Sequence, residues 1–138
     1  MVYLLLAEGF EEAEALVTAD LLRRAEVDLA LVGLDSLTVT GAHGITVAAD
    51  CLLSDAEEEM EMLILPGGMG GVENIMMNLF AQAFIQRAGE RGAYVAAICA
   101  APTILAHLCM LDRRKAVCYP GMEDQMYSAV VRKETPVV

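Results

Sequence analysis

Four short runs without a charge recur along the chain, at residues 2–7, 29–32, 62–65 and 93–98, and the stretches between them have helical rather than alternating spacing. A continuous apolar run predicts a strand covered on both faces. Residues 11–25 predict the first helix, with Leu16, Val17, Leu21 and Ala25 as its apolar positions. Residues 72–91 predict two more helical pieces and residues 102–111 another. Residues 38–40 and 45–48 flank Gly41-Ala42-His43-Gly44, which predicts a hairpin-like excursion. The tail, 115–138, holds short β-like pieces around Tyr119-Pro120. Buried strands alternating with amphipathic helices predict one α/β domain over residues 1–138, built on a right-handed, doubly wound parallel sheet.

Charge narrows the partners. The formal net charge of −11 leaves no basic field for nucleic acid or an anionic membrane. Arg113-Arg114-Lys115 is the one basic cluster, and it reads as cations at the carbonyl end of the preceding helix. The uncharged stretch 94–111 has the length of a membrane span. Gly92 stands before it, Pro102 lies inside it and its first half favours strand, so it predicts a buried strand and then a buried helix. The opening apolar run is too short for a secretory signal, and a cytoplasmic protein is expected. Cys51, Cys99, Cys109 and Cys118 show no CxxC spacing and sit in apolar contexts, as buried free thiols of a reducing compartment would. His107 and Cys109, two apart on a helix, diverge, and no metal site is expected from them.

In a doubly wound sheet, ligands gather outside the carboxyl ends of the strands near the switch in strand order. Three such ends carry unusual residues: 7–14, 66–71 and 98–102. Cys99 ends an apolar run and the next helix follows within a few residues. Ala96, Ala97, Ala100 and Ala101 leave room for a tight turn that lifts a nucleophile out of the sheet. Pro102 suits a first helical turn. A thiol at a helix N-terminus is expected to have a lowered pKa, so Cys99 is read as reactive and the other three cysteines as inert. Pro66-Gly67-Gly68 would let backbone N–H groups approach an anion. No Gly-Lys-Ser/Thr follows and Glu73 stands where a third dinucleotide-binding glycine belongs, so nucleotides are not expected. Glu11 and Glu12 read as solvated acids at a helix N-terminus. Glu14, spaced with Leu21 and Ala25 on the face read as core, is the candidate carboxyl beside the thiol.

Residues 7–14, Leu65-Pro66-Gly67-Gly68 and the run from Ala96 to Thr103 together resemble the signature segments of the ThiJ/PfpI superfamily, which includes the parkinsonism-associated protein deglycase. The resemblance runs in order to about Gln125. It implies a flavodoxin-like fold, a mostly parallel sheet with helices on both faces as in class I glutamine amidotransferases. It implies Cys99 as the reactive cysteine, Glu14 as its partner, and Gly67, Gly68 and Ala100 as the donors that bind substrate or an oxyanion. It also implies a glyoxalase or deglycase acting on small 2-oxoaldehydes or glycated groups without metal or cofactor. Implied too is a homodimer packed partly through the first helix. An apolar chain this short is itself expected to bury more surface by self-association, with Arg23, Arg24 and the 41–44 loop near the interface.

The rival reading is a redox sensor whose cysteine is held as sulfinate. A protease or amidase is a weaker alternative, because Ala100 stands where that branch has histidine. Tyr119 occupies a position where some members place histidine; it can bind a substrate oxygen but is a poor base near neutral pH. His107 reads as structural. Family members continue past the equivalent of Val138 with a strand and helix that cover the sheet, so the fold is expected with its C-terminal part short of that length.

Overall fold

In the computed structural model, which describes residues 1–138, the elements run in the order β1 (Val2–Leu6), α1 (Glu12–Arg24), β2 (Leu29–Gly33), β3 (Thr38–Thr40), β4 (Thr46–Ala48), β5 (Cys51–Leu52) and β6 (Met62–Leu65). There follow α2 (Met69–Met77), α3 (Leu79–Glu90), β7 (Tyr94–Ala97), α4 (Pro102–His107), β8 (Lys115–Ala116) and β9 (Val130–Val131). Each uncharged run became a strand of one sheet, in the order β5-β2-β1-β6-β7, with every pair parallel. From β1 the chain steps outward to β2 and β5, then crosses back to β6 on the other side of β1. The switch in strand order therefore falls between β1 and β6, and the 38–48 hairpin stands off the sheet as the antiparallel pair β3–β4.

Alternation along β1 explains why the whole strand is apolar. Tyr3 and Leu5 enter a core beneath α2, α3 and α4 with Phe84, Ile85 and Ile104. Val2, Leu4 and Leu6 enter a second core beneath α1 with Phe10, Ala15 and Ala19. Helices thus cover both faces, as the fold class requires.

Several details depart from the pattern. On α1 the core-facing residues are Glu12, Ala15 and Ala19, whereas Val17 and Leu21 are 57% and 59% exposed. The small alanines let the helix approach the sheet, Leu22 packs at the edge of that core, and Val17 and Leu21 form a second stripe on the outer face. α4 ends at His107 rather than continuing to Leu111. Cys109 takes φ 57°, while its N–H and that of Met110 bond back to Ala106 and Leu105, a Schellman ending in which cysteine stands where glycine is usual. Cys109 is consequently exposed, not buried. The Arg113-Arg114-Lys115 cluster lies beyond this ending and does not cap the helix. The 94–111 stretch is divided between β7 and α4, and no helix is long and apolar enough to cross a membrane.

Candidate active site

Three connections emerge at the carboxyl ends of β1, β6 and β7, on either side of the switch point, and they meet. After β7 the chain turns so sharply that Cys99 adopts φ 61°, a left-handed conformation costing a non-glycine residue roughly 1–2 kcal/mol. The turn is stitched by Ala101 N–H to the Ile98 carbonyl (3.0 Å) and by the buried Thr103 hydroxyl to the Ala100 carbonyl (2.7 Å). Across the chain, Tyr119 N–H donates to the Cys99 carbonyl at 2.7 Å and fixes the loop after β8 against the elbow.

The other two connections bring up the carboxylate. Glu11 N–H donates to the Gly67 carbonyl (2.9 Å), and Gly67 N–H donates to Glu14 Oε2 (2.7 Å). A side chain at Gly67 would start 2.5 Å from Glu14 Oε2, 2.7 Å from Cys99 Cβ and 3.2 Å from Cys99 Sγ. Glu14 and Cys99 therefore meet in the space that glycine leaves. Gly68, at φ 91°, opens α2 and packs against Gly9 and Glu11, where no Cβ would fit.

The Cys99 thiol is pushed up from its ordinary value, against expectation. Burial is the main cause, the bonded and negatively charged Glu14 carboxylate adds to it, and the Ala100 and Gly68 N–H groups pull back only in part. The expected helix effect is weak because α4 has six residues and begins three positions after Cys99. The resting pair is thus a thiol facing a carboxylate. Of the two glycines, Gly67 spends its N–H on Glu14, and the donors directed at sulfur are Gly68 and Ala100.

Glu11, Glu14, Gly68, Met69, Cys99, Ala100 and Tyr119 line a cavity of about 370 Å³. A second cavity of about 410 Å³ adjoins it, sharing Cys99 and Tyr119 and lined also by Cys118 and the 131–136 segment. A roomier one, about 480 Å³, opens beside Tyr94, Leu105 and Cys109 at the amino end of β7, away from the three loops. Chemistry rather than volume singles out the 370 Å³ cavity. Neither histidine lines it.

One group of residues escaped the sequence reading. Glu12 is only 5% exposed, not a solvated acid. Its Oε1 accepts from the N–H groups of His43 (2.6 Å) and Ile45 (3.4 Å), and its Oε2 lies 2.8 Å from His43 Nδ1. Glu11 Oε2 approaches the same nitrogen at 3.4 Å. Burial alone would raise the Glu12 carboxyl, but these bonds outweigh it and hold it down at about 2. His43 is raised, first by the Glu12 bond and then by the charge of Glu11. Nothing local in the sequence marks this contact, which depends on the hairpin folding over the start of α1.

Known proteins repeat this architecture. The chain is 34% identical to a DJ-1 superfamily protein from Salmonella typhimurium of known structure, with a TM-score of 0.93, covering 99% of this chain and 75% of that one. It is 32% identical to a deglycase of Pyrococcus horikoshii, covering 94% of this chain and 78% of that protein. Protein dj-1beta of Drosophila melanogaster is also 32% identical, over 88% of this chain, which spans 66% of the fly protein's length. The DJ-1/PfpI family model matches residues 1–138 from end to end, and with these relatives it shows that the chain belongs to the DJ-1/PfpI family.

Proposed function

We propose that the chain is a cysteine-dependent enzyme of the glyoxalase or deglycase type, with Cys99 as nucleophile and Glu14 as its base. The observation that carries this reading is the meeting of the two side chains over Gly67. A nucleophile needs a base within hydrogen-bond reach, and a thiol that rests protonated against a carboxylate can pass its proton as it attacks. With a 2-oxoaldehyde, sulfur bonds to the aldehyde carbon while Glu14 takes the thiol proton. The carbonyl electrons move to oxygen, where the Gly68 and Ala100 N–H groups lie nearby as donors. Protonation gives a hemithioacetal. Transfer of its carbon-bound proton to the neighbouring carbonyl carbon would give a 2-hydroxy thioester, which water cleaves to a 2-hydroxy acid and free thiol. Nucleophile, base and oxyanion donors all come from the chain itself.

Named relatives support the class, since one curated relative of Pyrococcus horikoshii is called a deglycase at 32% identity. The experiment is methylglyoxal consumption by wild type, Cys99→Ser and Glu14→Gln. Turnover lost in both variants supports the reading, and turnover undiminished in Cys99→Ser sinks it.

A redox-sensing role is favoured by the same donors, because Gly68 and Ala100 N–H groups would also bind an oxidised sulfur. Hydrolysis by a Cys-His pair has no support, since Ala100 follows the cysteine and His43 is engaged with Glu12.

A further inference from the structure

We infer that His43 is a positioning residue of the Cys99 cavity: through Glu11 it sets the charge that an incoming electrophile meets, so that the cavity favours uncharged carbonyl compounds over carboxylate-bearing ones once the imidazole is neutral. The inference rests on Cys99 being the reactive group.

The hairpin turn is fastened independently of its side chain. Ala42 N–H donates to the Phe10 carbonyl at 2.8 Å, Gly41 packs directly on the Glu12 carboxyl, and the His43 and Ile45 N–H groups bond Glu12 Oε1. The imidazole is consequently placed between two carboxylates by backbone that does not depend on its protonation. Glu12 is buried and fully bonded, whereas Glu11 forms part of the cavity wall. The charged side chains lining that wall are Glu11 and Glu14, and no cation is among them. The groups that face His43 are Glu11, the N-cap of α1, and Glu12, its first residue; elsewhere on the hairpin, Thr40 N–H donates to Glu8 of the β1–α1 loop at 3.0 Å. All are acidic; Arg132 and Lys133 line the adjoining cavity, where Lys133 is paired with Glu123 at 3.3 Å, so His43 is the cation in contact with Glu11. Protonated, it offsets Glu11; neutral, it leaves the mouth anionic.

The test compares two alkylating probes at Cys99, neutral iodoacetamide and anionic iodoacetate, from about pH 5.5 to 9, with rates read from the Cys99 peptide by mass spectrometry. Both probes consume the same thiolate, so their rate ratio cancels the titration of Cys99 itself. The iodoacetate/iodoacetamide ratio should fall about twofold as the His43 imidazole signal titrates. In His43→Asn the ratio should stay low with no inflection. In Glu11→Gln, which leaves the Glu12–His43 pair intact, it should rise at high pH. A ratio that stays flat while His43 titrates, or the same inflection in His43→Asn, overturns the role of His43. Failure of aldehyde turnover would overturn the enzyme reading alone, because no turnover enters this measurement.

Discussion

Glu14 and Cys99, far apart in sequence, both border one small space above Gly67 that a side chain there would fill. The Gly67 N–H holds Glu14 Oε2 at 2.7 Å, so the glycine both admits the carboxylate and orients it. A residue from each of three connections therefore makes one chemical unit, and changing any one should be felt by the other two.

Replacing Glu14 by Gln removes the negative charge that favours the thiol and leaves only a weaker, neutral acceptor. The Cys99 titration should consequently move down, not up, since both Glu14 effects raise it in the wild type. Aldehyde turnover should nevertheless fall about 10²- to 10³-fold, because the proton acceptor is gone. Alkylation of the Cys99 peptide as a function of pH, with methylglyoxal kinetics in parallel, reads both. An unmoved titration curve would mean the pair is not coupled.

Gly67→Ala would put a methyl group 2.7 Å from Cys99 Cβ and 2.5 Å from Glu14 Oε2. Both side chains must give way, at roughly 1–3 kcal/mol for overpacking. Urea denaturation should show that loss, and Cys99 alkylation should change while Cys109, which is exposed and distant from the glycine, should label as before. Unchanged stability together with unchanged Cys99 labelling would show that the space is larger than the geometry indicates.

Much of this was legible in the sequence, for identifiable reasons. Strands buried on both faces leave uncharged runs, and all four such runs became neighbours in the sheet. The topology then forces their carboxyl ends together, which is why Cys99, Glu14 and Gly67 could be grouped without coordinates. What stayed hidden depended on choices that the pattern leaves open. Helix α1 has two apolar stripes, and nothing in their spacing says that Ala15 and Ala19 face the sheet while Val17 and Leu21 do not. The two-residue β5 is too short to carry a period. The direction of the Cys99 shift was missed because helix α4 proved short, while burial and Glu14 act through tertiary contact.

The latch between the hairpin and α1 should leave a signature in stability against pH. Glu12 is held at about 2, below its ordinary 4.5, so its contribution is complete above about 4.5 and lost as pH falls toward 2. His43 is raised above 6.5, so its contribution is complete below 6.5 and lost as pH rises through the elevated value. Thermal midpoints should peak between these limits. In His43→Asn the decline on the alkaline side of 6.5 should flatten. Superimposable wild-type and variant profiles would show that the pair does not stabilise the fold.

We propose further that the outer stripe of α1 mediates a homodimer. Val17 and Leu21 lie one turn apart on that stripe and are more than half exposed, and Arg23 and Arg24 are already paired within the chain, to Asp50 and Asp20 at 2.8 Å each. Apolar contact, with the arginines at its rim, is the expected form of such an interface. Sedimentation at micromolar concentration should give a dimer for wild type and a monomer for Leu21→Glu. A monomeric wild type would remove the proposal.

The last prediction separates catalyst from sensor. A catalyst needs the reduced sulfur in every turnover, so conversion of Cys99 to sulfinate should abolish activity in proportion to its extent. A sensor needs the sulfinate as a stable end state, held by the Ala100 and Gly68 N–H groups and by Glu14 in its protonated form. The site supplies donors for both, and peroxide titration distinguishes them. Sulfinate would be followed at the Cys99 peptide by mass spectrometry, and methylglyoxal loss measured on the same samples. Measurable but slow turnover is expected, because Tyr119 lines the cavity and neither histidine does. Activity falling linearly with sulfinate supports the enzyme. If the fully reduced protein consumes no aldehyde yet Cys99 stops cleanly at sulfinate, the enzyme reading fails and the sensor takes its place. In that case Glu14→Gln, which has no carboxyl proton to give the sulfinate, should let oxidation run on to sulfonate.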